Sequence, residues 1–253
     1  MELGLSGKRA LITGGSKGIG RAAAAALAAE GASVTLVARS AGPLGEAAAS
    51  IRASAQVGVE TIAADLSRHD EVERVAADTP TPDILVNNAG AIPPGTLASV
   101  DNATWRRAWD LKVFGYISLS RLIHARMVER GSGVIVNVIG AAGEKFDPDY
   151  ITGSVGNAAL MAFTRALGRA SAARGVRVVG INPGPVETER LVMLSHARAE
   201  RSLGDAGRWR ELFGRMPFGR PAAPEEIGAA VAFLASPRSA YTNATILTID
   251  GGG

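Results

Sequence analysis

Leu11-Ile12-Thr13-Gly14-Gly15-Ser16-Lys17-Gly18-Ile19-Gly20 is the stretch on which the reading of this chain turns. An apolar run, Ala10 to Ile12, stops at a glycine-rich turn, and a helical run, Arg21 to Glu30, follows at once. Glycines at such a turn reach backbone conformations closed to other residues and let a ligand come close to the main chain. The free N–H groups at the start of the next helix, reinforced by its dipole, make a seat for a pyrophosphate. Glycines alone could mark any strand-to-helix turn. The strand, turn and helix in that order point to dinucleotide binding, through Gly14, Ser16, Lys17, Gly18, Ile19 and Gly20.

Outward from this turn, short β-rich runs alternate with longer helical ones. Strands are expected near 8–13, 33–38, 59–64, 83–87, 133–139, 176–181 and 245–249, and helices near 18–30, 42–54, 68–78, 101–129, 152–174 and 224–235. The alternation predicts an α/β fold of Rossmann type: a doubly wound, seven-stranded, mostly parallel sheet with helices on both faces. No repeat and no Pro/Gly/Ser linker divides the chain, so residues 1–253 are expected to form a single domain. The one irregular stretch runs from about 186 to 221, carries Trp209 and Phe213, and follows the C-terminal end of a strand. In an open α/β sheet that end borders the ligand crevice, which makes this insertion a candidate substrate lid.

Composition narrows the function classes. Hydrophobic residues make up 47% of the chain and charged ones 20%, which fits a soluble globular protein. The net charge is +3 and the basic residues are scattered, so neither nucleic acid nor a membrane surface is an expected partner. With no cysteine, disulfide and thiolate chemistry are excluded. The N-terminus lacks the apolar core of a signal peptide, no run of about 18 apolar residues occurs, and a cytoplasmic protein is expected. His69, His124 and His196 are isolated and show no metal-ligand spacing, so no metal site is expected. His196, inside the insertion, could overhang a substrate. No Gly-x-Ser-x-Gly elbow appears, which removes the serine hydrolase reading.

The second strand ends in Val37-Ala38-Arg39. A site selecting NAD usually places an acid there to hold the ribose 2′-hydroxyl, and Ala38 cannot do this. Arg39 offers a planar, permanently charged fork suited to a 2′-phosphate, and Lys17 adds a second cation. NADP(H) is therefore the expected cofactor.

By these residues the chain resembles the short-chain dehydrogenase/reductase family over almost its whole length. The matching pieces are the Thr13–Gly20 turn, Asp65-Leu66, Asn87-Asn88-Ala89-Gly90, Asn182 through Thr188, and Ile249-Asp250-Gly251-Gly252. The resemblance implies that Asp65 and Leu66 touch the adenine and that Asn88, Ala89 and Gly90 line the cofactor. It implies that Pro183, Gly184, Val186 and Thr188 hold the nicotinamide end, and that the chain forms a homo-oligomer, a tetramer or a dimer.

At the reacting centre the resemblance breaks. The family uses an Asn, a Ser, a Tyr and a Lys, the last two spaced as Tyr-x-x-x-Lys. Asn157-Ala158-Ala159-Leu160 fills the slot of the family's Lys-Ala-Ala-Leu, which puts Asn157 at the lysine position and Gly153 at the tyrosine position. Gly140 stands for the serine and Lys112 for the asparagine. The Lys and Asn slots look exchanged, while the Tyr and Ser slots are both glycine. Gly153 near a helix start costs roughly 1 kcal/mol relative to alanine, a cost that makes sense if the vacated volume is used. Tyr150, close to one helical turn early, is expected as a loop residue on the pocket wall, clustered with Glu144, Asp147 and Asp149 in a loop facing the same pocket. Lys112, Tyr150 and Asn157 are the candidate catalytic residues. The expected function is an NADP(H)-dependent oxidoreductase acting on a small molecule through a rebuilt site. A redox-neutral lyase or isomerase and a non-catalytic NADP-binding sensor are the competing classes.

Overall fold

The computed structural model describes residues 2–253. The chain runs β1 (Arg9–Thr13), α1 (Gly18–Ala29), β2 (Ser33–Ala38), α2 (Ala41–Ser54), β3 (Val59–Ala63), α3 (His69–Asp78), β4 (Ile84–Asn87), α4 (Asn102–Trp109) and α5 (Gly115–Arg130). It continues as β5 (Gly133–Val138), α6 (Ala142–Lys145), α7 (Ile151–Ser171), β6 (Val176–Pro183), α8 (Glu189–Leu203), α9 (Pro224–Ala235) and β7 (Ile246–Ile249). The seven strands form one sheet in the order β3-β2-β1-β4-β5-β6-β7. Every neighbouring pair is parallel, so the sheet is wholly rather than mostly parallel.

Successive residues of a strand face opposite sides, and the core divides accordingly. Ala10, Ile12, Ile84, Val86, Val134 and Val136 point to the face covered by α1, α2 and α9. Leu11, Leu85 and Ile135 point to the other, under α3 and α5. Helix α1 is rich in alanine, the strongest helix former, and those small side chains let it lie close to α9. A Cβ at Gly228 of α9 would stand 2.7 Å from the Ala22 carbonyl carbon. Leu27, fully buried between these layers, contributes roughly 2 kcal/mol by its removal from water.

Two expected elements differ. The long helix expected over 101–129 is divided by a π-helical turn, Asp110–Phe114, which carries Lys112. Such turns insert one extra residue and re-aim the side chains beside it. The insertion at 186–221 is not irregular. Thr188 caps α8, its hydroxyl accepting from the Leu191 N–H at 3.3 Å, and Gly204 ends the helix at φ 72°. Asp205 then caps a 3₁₀ segment, Ala206–Phe213, by accepting from the Gly207 N–H at 2.7 Å. The sequence hid this order because few residues of α8 are buried: Ser195 and Ala199 alone among its described side chains.

Candidate functional site

The chain leaves β1, builds outward through β2 and β3, and returns to β4 on the other side of β1. The loops after β1 and β4 therefore part from each other and open a crevice at the strands' C-terminal ends. Thr13 ties the two loops. Its hydroxyl accepts from the Asn88 and Ala89 N–H groups at 2.9 and 3.0 Å, and the Asn88 side-chain amide donates to the Thr13 carbonyl at 3.1 Å. Gly20 is packed so closely that a Cβ would collide with the Gly14 carbonyl and the Asn88 amide. Glycine is required there because both neighbours are fixed.

The crevice begins as a cavity of about 300 Å³ between Gly14, Ser16 and Lys17 on one side and Ala38, Arg39 and Ser40 on another, with Leu66, Ala89 and Gly90 below. Among the described residues Arg39 has no carboxylate within 4.0 Å. Lys17 is engaged: its ammonium meets the Glu189 carboxylate of α8 at 2.7 Å, which raises the lysine pKa. Both partners are well exposed, so the pair is weak. Asp65 turns away from the cavity, and its carboxylate accepts from the Ser67 N–H and hydroxyl at 3.1 and 2.8 Å. Ala64 and Leu66 line the wall in its place.

Past Gly90 and Asn88 the crevice deepens into a second cavity of about 580 Å³, bounded by Ile19, Pro183, Gly184, Val186 and Thr188. Three elements bring polar side chains into it. Lys112, from the π-helical turn, donates to the Ile139 carbonyl at 2.5 Å. Its stem rests on Gly90, where a Cβ would lie 3.0 Å from Lys112 Cδ. Burial, and secondarily the nearby Arg190 charge, lower the Lys112 pKa to about 8. Asn157 of α7 donates to the next carbonyl, Gly140, at 3.3 Å, while its buried Oδ1 has no protein partner. Lys112 and Asn157 thus converge on the carbonyls just past the end of β5.

Tyr150 supplies the third group. It immediately precedes α7, and its side chain folds back along the helix. A Cβ built on Gly153 would overlap the edge of the Tyr150 ring, with Cδ1 at 2.5 Å. The space that a side chain at position 153 would take is filled by this ring. Among the described residues the Tyr150 hydroxyl has no hydrogen-bond partner, and the side chain borders the cavity. Burial raises its pKa, an effect partly opposed by Arg190.

The sequence pattern of the short chain dehydrogenases matches residues 8–199. The chain belongs to that family. It is 35% identical over 256 residues to galactitol 2-dehydrogenase (L-tagatose-forming) of Cereibacter sphaeroides, covering 98% of this chain and 95% of that protein. It is 31% identical over 253 residues to L-xylulose reductase of Mesocricetus auratus, covering 100% of this chain and 98% of that one. The fold is similar to L-sorbose reductase from Gluconobacter frateurii, solved with NADPH and L-sorbose. There the TM-score is 0.94 at 32% identity, over 99% of this chain and 98% of the other. This short chain dehydrogenase is accordingly an oxidoreductase of that type.

Within it, the acidic loop and the histidine distribute differently from expectation. Asp147 borders the second cavity, but Glu144 accepts from the Thr248 hydroxyl at 2.9 Å and is absent from the cavity wall, as is Asp149. His196 does not overhang the cavity. Its Nδ1 lies 2.9 Å from the Ala206 carbonyl and its ring packs on Trp209 at 5.6 Å, joining α8 to the 3₁₀ segment. The residue that sequence reading missed is Arg190. It lies in the first turn of α8, borders the second cavity, and donates to the Ile92 carbonyl at 2.6 Å. The available signal was its place two residues after Thr188, on a helix the sequence did not reveal. No described helix is long and apolar enough to cross a membrane.

Proposed function

We propose that the chain is an NADP(H)-dependent oxidoreductase acting on a small molecule, with its reacting groups moved away from the family's usual positions. The observation that carries this reading is the Tyr150 ring lying over Gly153, in one cavity with Lys112 and Asn157. On this reading residues 1–253 are one cytoplasmic domain that works as a homo-oligomer, a tetramer or a dimer, and 186–221 covers the reacting end.

The residues present fit the cofactor. Gly20 lets the turn pack against Gly14 and Asn88 and so keeps the loop beside the first cavity in shape, Arg39 lines that cavity with no carboxylate within 4.0 Å among the described residues, and the buried Asn157 Oδ1 lacks a donor that a ribose hydroxyl would supply. Gly14, Ser16, Lys17, Gly18 and Ile19 hold the phosphates on this reading. Leu66, with Asp65 shaping its loop, takes the adenine side, Asn88, Ala89 and Gly90 the middle, and Pro183, Gly184, Val186 and Thr188 the nicotinamide end. NADP(H), when bound, gives or takes a hydride.

The chain's own groups manage the proton and the charge. Tyr150, kept protonated by burial, donates its hydroxyl proton to the carbonyl oxygen being reduced. Lys112, itself desolvated by burial, stabilises negative charge growing on that oxygen. Asn157 holds its place through Gly140. The test is a panel of ketones, imines and enones run with 4-deuterated NADPH, following deuterium into product for the native chain and Tyr150→Phe. Label in the product, lost or sharply reduced in the variant, is the expected result. Product without label means redox-neutral chemistry, and no product from any class means a sensor.

A further inference from the structure

We propose that the second cavity selects ligands bearing a carboxylate, with Arg190 as the anchor and Lys112 behind it; on the reductase reading above, the substrate is a small keto acid. Three cations border this cavity, and among the described residues two of them, Lys112 and Arg190, have no carboxylate within 4.0 Å. Lys112 spends one donor on the Ile139 carbonyl and Arg190 one on the Ile92 carbonyl. A lysine carries three donors and an arginine five, so most of their capacity is unused. The other lysine at the wall, Lys145, is already paired with Asp250 at 3.0 Å. Asp147, the one carboxylate lining the cavity among the described residues, accepts from the Asp149 N–H at 2.9 Å and pairs with neither cation.

Two like charges facing one cavity repel: the Lys112 pKa is lowered first by burial and then by the Arg190 charge. An oxyanion seated between them removes that penalty and gains charge-assisted hydrogen bonds. The planar guanidinium matches a carboxylate in two-point geometry. Arg190 also borders the neighbouring groove beside Gly14 and Gly18, so a cofactor phosphate could use the same chemistry. The position of Arg190 against Lys112 and Tyr150, at the reacting end, favours the substrate.

The test titrates protein saturated with NADPH by calorimetry, using acetate through hexanoate and benzoate against their primary amides. NADPH affinity is measured separately by fluorescence for the native chain, Arg190→Gln and Arg190→Lys. At least one carboxylate is expected to bind about tenfold more tightly than its amide. Arg190→Gln removes that preference with NADPH and amide affinities unchanged, and Arg190→Lys restores part of it. No carboxylate preference anywhere in the panel overturns the proposal. An Arg190→Gln variant that weakens NADPH while keeping the preference also overturns it and gives Arg190 to the cofactor. Because binding is read without turnover, a carboxylate preference without deuterium transfer would remove the reductase reading and leave the anion site standing.

Discussion

Gly20 and Gly153 are the same residue type, buried behind two different walls of one crevice, and they are glycine for different reasons. At Gly20 the obstacle to a side chain is main chain and a tied amide: the Gly14 carbonyl, and Asn88, itself bonded to Thr13. Neither can yield. At Gly153 the obstacle is the ring of Tyr150, a side chain with two rotatable bonds that can swing into the cavity. The first glycine protects the shape of the backbone; the second makes room for a side chain three positions away. One is a structural requirement of the turn after β1, and the other is what lets the Tyr150 ring lie against α7.

The widest separation between these two cases comes from adding one methyl group to each. Gly20→Ala should destabilise the chain by about 2–4 kcal/mol, since the overlap is with atoms that cannot move aside, and abolish measurable NADPH binding. Thermal denaturation and fluorescence titration read both. An alanine tolerated at Gly20 would break the comparison at its stronger end.

Gly153→Ala should leave the fold as stable or slightly more so, because alanine favours the helix by up to about 1 kcal/mol. It should displace the Tyr150 ring and lower kcat by about 10²- to 10⁴-fold, the usual worth of a positioned acid, with NADPH affinity retained. Tyr150→Phe should show the same fall. Activity that survives Gly153→Ala but not Tyr150→Phe would mean that the ring works from another position.

Lys112 sharpens the contrast between stability and activity. Its pKa is lowered from 10.5 to about 8 in the folded chain, so below pH 8 the fold carries a desolvated charge that the unfolded chain holds in water. Stability from this residue therefore rises as pH goes from 8 to 10.5. Lys112→Met should stabilise the protein at pH 7 by about 1–3 kcal/mol, flatten that rise, and reduce turnover. Arg190, Tyr150, Asp147 and Lys145 border the same cavity, so the rise is measured as the difference between variant and native chains. A Lys112→Met variant less stable than the native chain would sink this account.

The smallest effect belongs to the cofactor end. Arg39→Asp should reduce the preference for NADPH over NADH about tenfold, while Glu189→Gln, which frees Lys17, should strengthen NADPH binding by a smaller factor. Equal affinities of the native chain for the two nucleotides would remove Arg39 from the role given to it.

The sequence alone determined the sheet and its cofactor-side crevice. Strand-length apolar runs alternate with helices, and the glycines of the first turn are spaced by backbone geometry, which does not depend on what lies far away in the chain. It also singled out Lys112, Tyr150 and Asn157, which the structure brings to one cavity, and Gly153 as a position without a side chain. Tertiary structure decided what fills that space: the fold-back of Tyr150 depends on how the chain enters α7, where the Tyr150–Gly95 bridge fixes the approach. Packing also turned 186–221 into a capped helix and a 3₁₀ segment clasped by His196 and Trp209, and so set Arg190 beside Lys112. Those contacts join residues distant in sequence and carry no period of their own. The backbone periodicities could be read from the string of residues, whereas a side chain borrowing its neighbour's space could be seen only once the neighbours had been brought together.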